Sequence, residues 1–189
     1  MLDYPVEVRA EKGANQFLQT TVTAYKNWGN NLVEPEIIKI QSTPNGLLED
    51  RITYYNRDSR GNPQYISKDD AEKVAYLWSY NYQYPIAKIE NATLDEVKTA
   101  LGYSDAQLDG LAAQSNPDVS WVDSQLRNYF NGKTTLVTTY TYKPLIGMTS
   151  VTDPRGIVTY YEYDSFGCLQ TIKDHNNQII ENYEYHYKN

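Results

Sequence analysis

The chain has 189 residues, a formal net charge of −7 and 19 tyrosines against three phenylalanines. An acidic chain with scattered basic residues gathers neither phosphate backbones nor an anionic lipid surface, so neither nucleic acid nor membrane insertion is expected. A single cysteine excludes an internal disulfide, and no run of 18 apolar residues offers a membrane-spanning helix. The stretch Met1–Val8 has neither the basic start nor the apolar middle of a signal peptide. It reads as the interior of a strand-rich sequence, and the chain is expected to be a fragment of a longer protein.

Residues 4–66 read as strands and turns. Gln16 to Tyr25 is a threonine-rich strand, followed by a turn at Trp28-Gly-Asn-Asn31. Ile37, Ile38 and Ile40 belong to a strand ending near Thr43, and Pro44-Asn-Gly46 is a strong turn signal. Arg51 to Tyr55 is the next strand, Gly61-Asn-Pro63 its turn, and Lys68 to Glu72 a polar hairpin loop. Tyr76, Trp78, Tyr80, Tyr82 and Tyr84 then recur at period two. One strand across them would place all five rings on one face, with Ala75, Leu77, Ser79, Asn81 and Gln83 on the other.

The pattern changes at Thr93-Leu-Asp-Glu96 and again at Ser104-Asp-Ala-Gln107, two capping boxes that open helices. Leu94, Val97 and Leu101 share one face, with Gly102 as the stop; Leu108, Leu111 and Ala112 form a second stripe. Asn116-Pro117 is expected to open a third helix with Pro117 at its first position. Its apolar face is Val119, Val122, Leu126 and Tyr129 or Phe130, and Asn131-Gly132 ends it. Strands resume at Thr134 and run in hairpins through turns at Pro154-Arg-Gly156, Ser165-Phe-Gly167 and Asp174-His-Asn-Asn177. The expected fold is mainly β: one antiparallel domain over 1–189, about ten strands, and a small helical insert over about 93–131.

A nine-residue pattern occurs twice. Thr53-Tyr-Tyr-Asn-Arg-Asp58-Ser-Arg-Gly61 returns as Thr159-Tyr-Tyr-Glu-Tyr-Asp164-Ser-Phe-Gly167, with six of nine positions identical. A strand ending in a tight turn accounts for all six: Thr and Tyr suit a pleated, half-buried surface, Asp starts the turn, and Gly supplies positive φ. A shorter echo, Tyr140-Thr-Tyr142, Tyr161-Glu-Tyr163 and Tyr183-Glu-Tyr185, recurs at spacings of 21 and 22. Repeated supersecondary units indicate an architectural array.

The order tyrosine–aspartate, glycine, leucine, aspartate over Tyr163-Asp164, Gly167, Leu169 and Asp174 resembles the YD repeat of the RHS family. The likeness covers about 134–189 well and 50–70 less closely, where Arg57 stands in place of the tyrosine before Asp58. Tyr142-Lys-Pro-Leu-Ile-Gly-Met-Thr-Ser150, Asp153-Pro-Arg-Gly156 and the final Tyr185-His-Tyr187 look most like the C-terminal ends of RHS-type proteins from Bacteroides-like bacteria. The resemblance implies a large secreted or cell-surface protein whose repeats build long β-sheet shells and often enclose or display a polymorphic toxin segment. It implies that Asp58, Gly61, Asp164 and Gly167 are structural turn residues, and that the partners are other repeats of the parent protein or a glycan.

No residue pattern points to catalysis. The two histidines are His175, in a turn, and His186, near the end; Cys168 has no histidine near it in sequence, and a Cys–His site also needs a group to orient the base. Glu49-Asp50 and Asp69-Asp70 are adjacent pairs, whose members point to opposite faces of a strand and not across a cleft. Asp174-His-Asn-Asn177 lacks calcium-loop spacing, and no glycine-rich phosphate loop is present. No catalytic residue, metal or cofactor is expected. Asn91-Ala-Thr93 matches a glycosylation acceptor, but Thr93 is better used as a helix cap. The candidate binding residues are Tyr76, Trp78, Tyr80, Tyr82 and Tyr84, whose rings can stack on a sugar or protein partner or pack as a cross-strand ladder under the helices.

Overall fold

The computed structural model describes residues 6–13, 16–29, 31–69 and 71–185. The expectations placed on Met1 to Pro5, Asn30, Asp70, His186 and Tyr187 fall outside those residues. Seven strands come first: β1 (Glu7–Lys12), β2 (Gln16–Asn27), β3 (Val33–Gln41), β4 (Glu49–Arg57), β5 (Pro63–Lys68), β6 (Glu72–Ser79) and β7 (Tyr84–Glu90). Helices α1 (Leu94–Leu101), α2 (Asp105–Ala112) and α3 (Val119–Phe130) follow. Then come β8 (Leu136–Lys143), β9 (Gly147–Thr152), β10 (Val158–Tyr163), β11 (Leu169–Lys173) and β12 (Ile179–Asn182).

The strands form an open antiparallel sheet in which spatial order equals sequence order, β1 through β12. Strand accounts for 49% of the chain and helix for 16%, so the mainly β expectation holds and the helices are an insert between two runs of strand. There are two more strands than expected.

By its contacts the chain divides into two compact units, Met1–Ala75 with Glu90–Leu94, and Tyr76–Ile89 with Asp95–Asn189. The first is a meander of hairpins. Every residue of β1 is exposed, and Thr20 is the one buried residue of β2. Packing in this unit tightens toward β5 and β6, where Ile66, Ser67, Val74 and Ala75 are buried.

The second unit holds the larger core. Leu77, Ile86, Ala87 and Ile89 are buried on the strands, and Val97, Leu101, Leu108, Leu111, Val122, Leu126 and Phe130 are buried on the helices. The helical spacing read from the sequence therefore marks the inward faces. Helix α1 stops at Gly102 (φ +67), with Tyr103 N–H donating to Lys98 O and Gly102 N–H to Thr99 O, the pattern of a Schellman cap. Helix α2 opens with the Ser104–Gln107 capping box. Helix α3 differs from expectation: Asp118, not Asn116, is the cap, its carboxylate accepting from Trp121 N–H at 2.9 Å. Pro117 therefore precedes the helix, because the charged Asp118 side chain satisfies a first-turn donor from the cap position, which Asn116 precedes by two residues.

The aromatic series is not a single strand face. β6 ends at Ser79, and Tyr80, Asn81 and Tyr82 take left-handed conformations (φ +53, +58 and +65) before β7 begins at Tyr84. The period-two spacing holds for Tyr76 and Trp78, which alternate with buried Ala75, Leu77 and Ser79. Beyond them the chain reverses.

Leu126 is 0% exposed. Leu126→Ala is expected to cost about 2–5 kcal/mol in denaturant unfolding, as complete core truncations do; a loss below about 0.5 kcal/mol would show that α3 does not pack through this face.

Candidate functional site

The repeated aspartates build one turn, and the described residues contain it four times. At Asp58 the carboxylate Oδ1 accepts from Arg60 N–H and Asn62 N–H, both at 2.9 Å. At Asp164 it accepts from Phe166 and Cys168 N–H, again at 2.9 Å each. Asp153 does the same with Arg155 (2.8 Å) and Ile157 (2.9 Å), and Asp174 with Asn176 (2.9 Å) and Gln178 (2.8 Å). In each turn the aspartate N–H donates to the carbonyl four residues on, and the residue three on donates back to the aspartate carbonyl. That residue has positive φ every time: Gly61 (+92), Gly156 (+83), Gly167 (+81) and Asn177 (+61). Asn is the side chain that tolerates this region best after Gly.

The copies at 58 and 164 match further. A Cβ on Gly61 would meet Leu32 Cδ1 at 3.1 Å, and one on Gly167 would meet Ile146 Cδ1 at 3.2 Å. In both, a loop side chain from the hairpin two strands earlier lies over the turn glycine. The residue before the aspartate also has the same task. Tyr163 OH donates to Met148 O on β9 at 2.8 Å, and Arg57 Nη2 donates to Pro35 O on β3 at 2.9 Å. Arg57 also donates to Gly61 O at 2.6 Å and stacks over Tyr54, 4.4 Å from the ring centroid. Its burial pushes the guanidinium pKa down, against the attraction of Glu34. The departure from the YD pattern at Arg57 thus preserves the cross-strand latch with a different donor.

The Asp153 pKa is lowered from its ordinary value, chiefly by Ile157 N–H and then by Arg155, with desolvation opposing. Its contribution to stability is present above the ordinary carboxylate pKa and is lost as pH falls through the lowered value.

The five aromatic candidates separate into groups. Tyr76 and Trp78 are half-exposed on β6, Tyr82 lies in the turn, and Tyr80 is buried. The Tyr80 ring meets Tyr84 and Tyr142 edge-on, at 5.9 and 5.8 Å, while Tyr84 stacks on Tyr142 at 4.7 Å. Burial, with nearby Tyr140, Tyr80 and Tyr84, pushes the Tyr142 phenol up to about 12. Three successive left-handed residues without glycine cost roughly 1–2 kcal/mol each in isolation. Here Asn81 N–H donates to Gln114 O (2.9 Å), Tyr82 N–H to Ala112 O (2.7 Å) and Ser79 Oγ to Leu111 O (2.7 Å), at the C-terminal end of α2. The Leu111 and Ala112 carbonyls belong to the last turn of α2, where a helix end leaves carbonyls without intrahelical donors, and Gln114 lies two residues beyond it.

A groove of about 400 Å³, which the sequence reading missed, lies between α3 and strands β8 to β10. Register aligns Thr139 with Thr152 and Val158, and Thr141 with Ser150 and Tyr160. At its wall Arg127 Nε donates to both Asp123 oxygens at 2.9 Å, and Asp123 also accepts from Thr139 Oγ1 at 2.8 Å. The other Arg127 nitrogens donate to Val137, Asp153 and Pro154 carbonyls. Helix α3 is thereby clipped to β8 and to the Asp153 turn. The i,i+4 acid–base spacing of Asp123 and Arg127 was the available signal.

The remaining candidates carry local bonds. Cys168 is half-buried and its backbone closes the Asp164 turn; the His175 ring contacts Asn176 at 3.1 Å. Glu49 and Asp69 pair with Arg51, and Asp50 with Lys39, each at 2.8 Å. Among the described residues, no group of three or more His, Cys, Asp or Glu could hold a metal ion, and no helix is long and apolar enough to cross a membrane.

No family model matches the chain, and no curated protein sequence does. Solved structures are similar at low identity. One is TcdB2-TccC3 without its hypervariable C-terminal region, 12% identical over 92% of this chain, with a TM-score of 0.44. Others are TcdB2-TccC3 (10%, 92%, TM-score 0.43) and the Photorhabdus luminescens Tc holotoxin pore (11%, 92%, TM-score 0.44). The chain spans 9% of the length of each of these. These likenesses assign no role to any residue.

Gly61→Val and Gly167→Val are each expected to destabilise by about 1–3 kcal/mol, since both need positive φ under a packed side chain. Asp58→Ala should cost a similar ~1–3 kcal/mol by removing the buried acceptor of two turn N–H groups; thermal or denaturant melts read all three, and unchanged midpoints would contradict the turn. Tyr142 is raised from the ordinary value of 10.0 to about 12, so its contribution to stability is fully present below about pH 10 and is lost as pH rises through about 12. Titration at 295 nm should show a late-ionising phase near pH 12 that shrinks by one tyrosine in Tyr142→Phe; an unchanged late phase would contradict its burial.

Proposed function

We propose that the chain is a non-catalytic scaffold module of a secreted or cell-surface YD-repeat protein of Bacteroides-like origin. The observation that carries this reading is the use made of the repeat residues. Asp58, Asp153, Asp164 and Asp174 direct their carboxylates at their own backbone. Gly61 and Gly167 supply backbone geometry, and Arg57 and Tyr163 tie neighbouring strands together. Chemistry spent on backbone hydrogen bonds serves architecture.

Its partners in this reading are other repeats of the parent protein. An open sheet offers edge N–H and C=O groups to a further strand. Exposed Val6, Val8 and Leu18 near β1, and Ile179 and Ile180 on β12, supply apolar surface for such a neighbour to cover.

A binding role is the second reading, and one observation favours it: Tyr76 and Trp78 share the half-exposed face of β6. A carbohydrate or a protein segment are the ligand classes that suit stacked rings.

Two assays test the choice. The purified chain should turn over nothing in an unbiased hydrolase screen; robust turnover lost on Cys168→Ala or His175→Ala would overturn the scaffold reading. A glycan array should show no binding. Binding abolished by Trp78→Ala would move the function to the β6 face.

A further inference from the structure

The left-handed turn at Tyr80–Tyr82 connects two parts of the second unit that are far apart in sequence. On one side it receives the end of α2 through the bonds from Ser79, Asn81 and Tyr82 to Leu111, Gln114 and Ala112. On the other it places two phenols against the β8–β9 hairpin. Tyr142 N–H donates to Tyr80 OH at 3.1 Å, and Leu145 N–H donates to Tyr84 OH at 3.3 Å. The β8–β9 register slips between Thr141 and Tyr142, where the Tyr142 N–H turns to the Tyr80 phenol. The hairpin tip that follows carries Leu145, 90% exposed and itself left-handed (φ +68).

From these contacts we infer that α2 is a conformational latch for the β8–β9 tip: its docked C-terminus holds the Tyr80–Tyr82 turn in the left-handed form, and that turn holds the bulge at Tyr142 and the exposed Leu145 tip through the two phenols. The turn contains no glycine, so the conformation depends on its partners and not on intrinsic preference. Releasing α2 removes three of those bonds at once. The turn then relaxes, the phenols shift, and the tip loosens. The helical insert thus controls a loop more than 30 residues away in sequence, presenting Leu145 when docked and freeing it when undocked.

Amide hydrogen exchange on the full chain tests the latch. Leu108 is buried on α2 and is a partner in none of the bonds in question, so Leu108→Ala is chosen to loosen α2 without editing the relay. It should speed exchange at Asn81, Tyr82, Tyr142 and Leu145 about tenfold or more, while Phe166 and Cys168 in the Asp164 turn keep their wild-type rates. If Leu108→Ala does not fold, Ser79→Ala removes one latch bond and should give the same pattern more weakly. A glycine turn, Asn81→Gly with Tyr82→Gly, adopts the conformation unaided; adding Leu108→Ala to it should leave Tyr142 and Leu145 unchanged. Faster exchange confined to α2 would overturn the latch. Equal acceleration at the Asp164 turn, or undiminished acceleration in the glycine background, would overturn it as well.

Discussion

A carboxylate that accepts the backbone N–H groups two and four residues ahead sets four of the reversals of this chain, β4–β5, β9–β10, β10–β11 and β11–β12. The aspartate stands one residue past the end of one strand, and its N–H closes the turn onto the carbonyl of the residue just before the next strand. The hydrogen bonds also require a residue with positive φ three positions on, supplied by Gly61, Gly156, Gly167 and Asn177. Once the turn is set, the pairing register of the flanking strands follows, because hairpin register is fixed by turn geometry and loop length. Bulges at Asn56/Arg57 and Glu162/Tyr163 fall just before two of the turns and swing the latch residue toward the neighbouring strand.

This constraint explains how the sheet tolerates so little burial. Of the strands these turns join, β9, β10 and β12 hold no buried residue, and hydrophobic burial alone supports a thin sheet weakly. The turns add local hydrogen bonds, many of them to a charged acceptor, that do not rely on a core. The helices share the core of the second unit with Leu77, Ile86, Ala87 and Ile89 of the strands, and Arg127 ties α3 to the Asp153 turn, so the insert is fastened to the repeat by the repeat's own carbonyls.

Much of this was legible in the sequence because it is local. The Asp-to-Gly spacing, the helix caps at Ser104 and Gly102, and the i, i+3, i+4 apolar stripes all have nearby causes. The single aromatic strand over Tyr76–Tyr84 was misread because its determinant is remote. Period-two rings look alike whether the strand continues or reverses, and what reverses it is the end of α2, some 30 residues on. Asn81, the residue most tolerant of left-handed geometry in that stretch, was the one local hint. The Asp153 and Asp174 copies were seen as separate turns; only the shared hydrogen bonding reveals them as the same unit as Asp58 and Asp164. Arg57 looked like a break in the repeat because residue identity hid a conserved reach: a long side chain ending in a donor. The Asp123–Arg127 clip was overlooked because i,i+4 pairs on helices are common and usually face solvent, whereas this one faces the sheet.

The most direct measurement of the central claim is amide hydrogen exchange at the eight N–H groups that the four carboxylates bind: Arg60, Asn62, Arg155, Ile157, Phe166, Cys168, Asn176 and Gln178. If one turn is used four times, all eight are protected relative to unstructured amides, and replacing any one aspartate by alanine removes protection from its own pair first. Exchange of a pair at the unstructured rate in the unaltered chain, or a pair left protected when its own aspartate is gone, would contradict the account.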